Sequence, residues 1–228
     1  AAAYTYAIPS EFRNKGFRRF GFHGINHQHV SETVAAQCRK QGKNPSQLRL
    51  ISAHLGAGAS LAAVKGGRCI DTTMGFTPLE GLVMATRSGN VDPGLLLELM
   101  REGYSEDQIA TILQKESGLK GLSGLSGDMR TIREAAANGH NGAIRALDVF
   151  RHRLLQLLGA MAASLGGVDV LALTGGIGEH DKQLKLELEK ALSWWGDFLT
   201  VVIPADEEGT IARLCQRHSE TPASAAVG

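Results

Sequence analysis

The sequence predicts an α/β fold, a sheet flanked by helices, on three observations. Apolar runs at 48–54 and 168–173 read as buried strands. Each is followed at once by glycines, Gly56 and Gly58 in one case and Gly175, Gly176 and Gly178 in the other. Between the two runs lies a long stripe at helical spacing: Ile144, Leu147, Phe150, Leu154, Leu158 and Met161. Strand, glycine turn and helix in that order is the α/β pattern. With 228 residues, 43% of them hydrophobic, the chain is long and apolar enough for a packed core.

In chain order, 10–15 reads as a helical turn behind Pro9, and 18–22 as a short strand. Asn26 is a good N-cap residue, so a helix is expected from there to about residue 41. Val30, Val34 and Ala35 would form its buried face. Residues 48–54, 59–65 and 68–72 read as three strands of a meander, parted by Gly56-Ala57-Gly58 and Gly66-Gly67. The segment 75–94, with Pro78 and Pro93, is a long loop, and such loops are often functional. Helices are expected over 94–102 and 105–118, the second capped by Ser105. A glycine-serine loop over 121–127 leads into a helix over 128–137. The striped helix spans 141–165 and ends at Gly166-Gly167. After the strand at 168–173 and the turn "TGGIGEH" come a charged helix from 181 to about 195, a short strand at 201–203 and a helix over 206–216. The tail from Ser219 is small and polar and is expected to fray.

Charge and composition exclude several classes. The net charge is +1 and the basic residues are scattered, so no nucleic-acid surface is expected. Cys38, Cys69 and Cys215 are too few and too far apart for a disulfide framework or a zinc site, and they fit a reducing, cytoplasmic setting. No apolar run is long enough to span a membrane, and the first residues lack the order of a signal peptide.

Glycine beside a strand costs backbone entropy and adds no packing. The turns at 56–58 and 175–178 therefore point to close backbone approach or a positive φ. Consecutive N–H groups in such turns make anion-binding nests. A simple hairpin is the alternative at 56–58. The second turn lacks the dinucleotide spacing and is no Walker loop. His23 could be a buried structural histidine, and His23, His27 and His29 a metal cluster, though no cysteine or acid accompanies them. Arg87 could be an ordinary loop arginine. Asp128 could simply cap a helix, and Glu207 and Glu208 suit the first turn of one. The pair Trp194-Trp195 reads as packing.

The stretches "RRFGFHG", "HLGAGASLAAVKGGRCIDTTMGFTPLEGLVMATRSGNVDPG" and "LTGGIGEH" resemble the acetate/propionate kinase family over nearly the whole chain. The resemblance implies an actin-like ATP-binding domain with a mixed sheet flanked by helices, of the sugar-kinase and actin superfamily. It implies Mg²⁺- and ATP-dependent phosphoryl transfer to acetate or propionate, giving ADP and an acyl phosphate. His23 and Arg87 would be catalytic, acting on the transferring phosphoryl group. His54, Leu55, Gly56, Ala57 and Gly58 would form a phosphate loop. Asp128, Met129 and Arg130 would touch nucleotide, and Gly176, Ile177, Gly178, Glu179 and His180 would form the adenosine-side loop. Glu207 would serve Mg²⁺. A homodimer, with the long helical stripe as its surplus apolar face, is also implied.

Three departures stand against the family pattern. Ala57 replaces an asparagine, Gly24-Ile25-Asn26-His27 stands for Gly-Thr-Ser-His, and Asn90 stands for an aspartate. The resemblance also implies an N-terminal domain ahead of this stretch, and a longer segment near 196–199. Residues 1–205 would then be a C-terminal nucleotide-binding domain, with 206–228 a helix and tail. A non-catalytic nucleotide-binding module and a sugar kinase of the same superfamily are the alternatives.

Overall fold

A computed structural model describes residues 1–220. The strands are β1 (Arg49–Leu55), β2 (Ala59–Lys65), β3 (Arg68–Thr72), β4 (Val170–Thr174) and β5 (Leu199–Val202), in one mixed sheet ordered β3-β2-β1-β4-β5. The meander β1-β2-β3 is antiparallel, while β4 lies parallel to both β1 and β5. The helices are α1 (Ser10–Asn14), α2 (Gly24–Lys40), α3 (Pro93–Arg101), α4 (Glu106–Thr111), α5 (Gly118–Ser123), α6 (Met129–Ala137), α7 (Asn141–Leu165), α8 (Gly175–His180), α9 (Lys182–Ala191) and α10 (Glu207–Glu220).

Local chemistry explains most boundaries. Asp92, Asp128 and Asp181 cap α3, α6 and α9 through their carboxylates, and Ser105 with Gln108 forms a capping box on α4. Each cap satisfies helix-end amides that would otherwise go unpaired. Gly166, at φ +70, ends α7, a turn that a side chain resists.

The sheet buries both faces. On one, Phe150, Leu154, Leu158 and Met161 of α7 join Ile51, Ala53, Leu55, Leu61 and Ala63 in the main core. On the other, Val30 and Val34 of α2 meet Leu50, Ala62, Val64, Val170, Ala172 and Ile203. Burying each large aliphatic side chain contributes about 1.5–3 kcal/mol. The helix α10 packs on α2.

Several expectations need correction. Residues 18–22 form no strand, because the amides of Phe20 and Gly21 share the single carbonyl of Gly75 and Gly21 turns the chain at φ +74. The first long helix starts at Gly24, so Asn26 lies inside it and is fully buried rather than capping it. The helix over 105–118 is broken by a π-turn at Ile112–Glu116. The loop expected over 121–127 starts only after Ser123. "GGIGEH" is itself the short helix α8. The stripe on α7 is consumed by the core, except that Ile144 is exposed and Leu147 only half-buried. The helix α10 reaches Glu220, and the rest of the tail lies outside the described residues.

Candidate functional site

Strand periodicity builds the site. Alternate residues of β1 face α2: Leu50, then Ser52, then His54. On β2 the matching series is Val64, Ala62, Ser60, cross-strand from them. The layer under α2 thus changes from apolar to polar toward the carboxyl end of β1. Asn26, His27, Ser52, Ser60 and Thr174 are all buried there. Buried polar groups must find partners, and nearly all of these do.

His27 Nδ1 lies 2.8 Å from Ser52 Oγ, and its Nε2 lies 2.8 Å from Ser60 Oγ. Ser60 Oγ is also 2.9 Å from His23 Nδ1. Asn26 Nδ2 donates to His54 Nδ1 at 2.8 Å and makes a longer contact of 3.4 Å with Thr174 Oγ1. The imidazoles of His23 and His54 stack, with centroids 4.1 Å apart and planes at 17°. His23 precedes α2 at φ +56, the one non-glycine residue with positive φ among the described residues. Such backbone costs free energy and clusters at functional sites.

Burial holds these rings neutral. It lowers the His23 pKa to about 4, helped by the nearby charges of His54 and Arg87. It lowers His27 to about 3, with His23 and His54 adding to the effect. His54 is also lowered by burial, while the carboxylates of Glu207 and Glu179 pull it the other way.

The open side of the stacked pair faces the hairpin between β1 and β2. Neither Gly56 nor Gly58 has positive φ, and a Cβ would be tight only at Gly58. A Cβ placed on Gly58 would lie 3.3 Å from His23 Nε2 and 3.4 Å from Arg87 Nη1. One placed on Gly56 would lie 3.7 Å from His54 Nε2 and 3.8 Å from the Gly176 amide nitrogen. The hairpin therefore brings together His23, His54, Arg87 and the start of α8.

Arg87 sits on a pinned loop. Ala85 N donates to the Ala57 carbonyl, Met84 N to Arg87 O, and Leu119 N and Lys120 N reach back to Met84 O and Ala85 O. Gly118 passes so close beneath, at φ +63, that a side chain there would strike the backbone of Met84 and Arg87. The guanidinium makes only weak contacts, 3.4 Å to Pro78 O and 3.8 Å to Met84 Sδ. Its charge is left to face the hairpin.

Other expected residues occupy distinct places. Leu55 and Met129 turn their side chains into the core, and Ile177 packs on it. Ala57 is exposed at the hairpin tip. Gly175 carries φ +78 and packs on Leu55 O, and Gly178 packs on the backbone of Leu173. Glu179 is a tie: its Oε1 accepts from Gly175 N at 3.0 Å and from Ala205 N at 2.9 Å. That bond fixes the chain just ahead of Glu207. His180 Nδ1 lies 2.9 Å from Gly176 O, within α8. The Asp128 carboxylate caps α6 and pairs with Arg130, which holds its pKa at about 2. Gly127 adjoins Ala85, so the start of α6 borders the Arg87 loop. Among the described residues, no three His, Cys, Asp or Glu side chains converge on a metal-sized space, so His23, His27 and His29 form no cluster.

The model of the acetokinase family matches residues 1–213. The chain belongs to the acetokinase family. It is 49% identical over 210 residues to an acetate kinase of Acaryochloris marina, which covers 90% of this chain and 52% of that protein. It is 52% identical over 194 residues to an acetate kinase of Microcystis aeruginosa, covering 85% and 47%. A solved acetate kinase of Porphyromonas gingivalis superposes with a TM-score of 0.90 at 38% identity, over 96% of this chain and 60% of that one. A propionate kinase from Francisella tularensis gives 0.86 at 34%, over 93% and 59%. The chain spans about half the length of the curated relatives it matches. With these relatives, the mixed sheet flanked by helices is the actin-like α/β architecture expected of an acetokinase.

Sequence reading passed over part of this candidate site. Ser52, Ser60 and the inward face of Asn26 were missed. A signal existed: Ser52 and His54 are two apart in an otherwise apolar strand, so they must share a face.

Proposed function

We propose that the protein is a short-chain carboxylate kinase, moving the γ-phosphoryl group of ATP to acetate or propionate. The observation that carries this is the convergence of His23 Nε2 and Arg87 Nη1 on Gly58 of the hairpin, in a chain of the acetokinase family. An acceptor carboxylate oxygen would attack the γ-phosphorus. The bond from that phosphorus to the β,γ-bridging oxygen would break, leaving ADP and an acyl phosphate. Such transfer needs positioning and charge stabilisation more than covalent help.

In this reading the Arg87 guanidinium neutralises charge on the equatorial oxygens, and His23 and His54 offer neutral N–H groups to the phosphates. The amides of 56–58 and Gly176 line the phosphates, and Gly176 to His180 with Asp128 to Arg130 border the nucleoside. A bound Mg²⁺ would supply positive charge to offset that of the phosphates, and Glu207 would be the residue of this chain that holds it. Glu207 suits such an ion. Its carboxylate has no hydrogen-bond partner among the described residues, and its charge is felt at His54. Mg²⁺ commonly takes one or two carboxylates and completes its shell with phosphate and water, which agrees with a single acid here. The free thiols of Cys38, Cys69 and Cys215 support a cytoplasmic setting. We also infer a homodimer.

The test is acyl hydroxamate formation by the full-length protein with Mg·ATP and either acid. Turnover of about 1–100 per second is expected with at least one acid. The two differ by one methylene, worth about 10- to 200-fold in preference. Bound ATP with no acyl phosphate from either acid would defeat the reading.

A further inference from the structure

We propose that Asn26 and Ser60 are positioning residues that set the tautomers of His54 and His23, so that both rings turn an Nε2–H toward the glycine hairpin. The inference rests on the reading above only for what the hairpin holds. The His54 tautomer follows from its hydrogen bond to Asn26, and the His23 tautomer from its hydrogen bonds together with an anion at the hairpin.

A neutral imidazole has one N–H and one bare nitrogen, and the partner at one nitrogen decides the other. Asn26 Nδ2 can only donate. It lies 2.8 Å from His54 Nδ1, so with the amide in this orientation that nitrogen is bare and the proton sits on Nε2. The same amide group contacts Thr174 Oγ1, which can accept. The buried Oδ1 of Asn26 is left without a partner. Asn26 is fully buried, so it cannot trade this bond for water.

His23 is set through a chain of four groups: Ser52, His27, Ser60 and His23. Each hydroxyl has one proton to give and His27 is neutral, so with the Ser60 proton spent inside the chain there are two orders. A third has Ser60 accepting from both rings and leaves His23 Nε2 bare, as the second order does. In one, Ser52 donates to His27 Nδ1, His27 Nε2–H donates to Ser60, and Ser60 donates to His23 Nδ1. His23 then carries its proton on Nε2, beside Gly58 and Arg87. In the other order every bond reverses, and His23 shows a lone pair to the hairpin. The Arg87 cation alone favours a lone pair on His23 Nε2, but an anion at the hairpin offsets that charge, repels a lone pair and attracts an N–H. The first order is the one that serves an anion.

The arrangement matters because the rings are neutral. A neutral imidazole helps an anion only as an oriented donor. Here Ser60 is the hinge of the network, since one hydroxyl touches both His23 and His27. Asn26 stands where the family resemblance has serine, and an amide nitrogen, unlike a hydroxyl, cannot reverse its role.

The experiment is long-range ¹H–¹⁵N correlation of the full-length protein with ¹⁵N-labelled histidine at pH 7, assigned with His23→Gln and His54→Gln. The bare nitrogen resonates far downfield of the protonated one, so each ring reports its tautomer without any turnover. With Mg·ATP bound both rings are expected as Nε2–H, and a His23 that then keeps its proton on Nδ1 overturns the proposal. Asn26→Asp replaces a donor with an acceptor and is expected to move the His54 proton to Nδ1. Ser60→Ala is expected to leave His54 unchanged and turn His23 into an averaged pair of tautomers. Wild-type His54 with its proton on Nδ1, or averaged between both nitrogens, overturns the proposal even where the variants fail to fold. A folded Asn26→Asp protein that keeps His54 as Nε2–H overturns it as well. Failure of the hydroxamate assay with these tautomers intact would count against the kinase reading alone.

Discussion

Arg87 is a charge held in place by backbone rather than by an acid. Its loop is stitched to α5 through Met84, Ala85 and Thr86, and no carboxylate pairs with the guanidinium among the described residues. Removing the side chain therefore removes little structure. Arg87→Ala is expected to lower kcat by about 10³ or more, as loss of an arginine that stabilises transferring phosphoryl does, with the midpoint of thermal unfolding nearly unmoved. Steady-state kinetics and a melting curve check both halves, and activity within threefold of the parent would take Arg87 out of the chemistry. His23, His54 and Arg87 were singled out through the family resemblance, because on residue chemistry alone His23 reads as a structural histidine and Arg87 as a loop arginine. Asn26, Ser52 and Ser60 were not, since small polar residues in an apolar run look like tolerated core positions until the register shows what they face. Glu179 was read as a ligand contact, while the structure turns its Oε1 onto the amides of Gly175 and Ala205. Only a contact between positions far apart in sequence reveals that.

At the scale of elements, the interface of α2 with the sheet is half aliphatic and half imidazole. His27 faces Ser52 and Ser60, with His23, His54 and Asn26 around it and Arg87 beyond His23. The folded pKa values of His27 and His23, about 3 and about 4, lie below the unfolded value of about 6.5. Below that unfolded value the unfolded chain binds protons that the folded chain refuses. Stability is therefore complete above about pH 6.5 and falls with acid until the folded pKa is reached. The buried His27 imidazole contributes a slope of up to about 1.4 kcal/mol per pH unit between pH 6 and 4, and the partly exposed His23 less. His27→Gln is expected to reduce the slope by the share of one imidazole, whatever it does to stability at pH 7. Urea unfolding at several pH values measures it, and an unchanged slope would mean that His27 is protonated in the folded protein. The elements themselves were mostly readable. The limits of α7 match the expected 141–165, and the three strands of the meander stand where glycine pairs part them. The start of α2 was misplaced because Asn26 has the chemistry of a cap, whereas His23 reaches that position by a left-handed turn that no propensity favours.

At the scale of the whole molecule, the proposed homodimer would need an apolar face, and the one first expected is spent. Phe150, Leu154, Leu158 and Met161 of α7 are buried in the chain's own core. The helix α3 is different. It is leucine-rich, capped by Asp92, and buries none of its nine residues. Leu95, Leu97 and Met100 are each about half exposed, where their burial would contribute about 25 cal/mol per Å². Leu97 and Met100, three apart, share a face of the helix. Exposed apolar surface is a usual sign of association, and a second copy of this chain presents the same helix. Light scattering of the protein at micromolar concentration is expected to give twice the mass of one chain. Leu97→Glu combined with Met100→Glu places like charges on the shared face, and is expected to give single chains with an unchanged melting curve. A parent that runs as a single chain removes the homodimer. A dimer that survives both glutamates moves the contact away from α3, because an apolar interface does not accept four unpaired carboxylates at its centre.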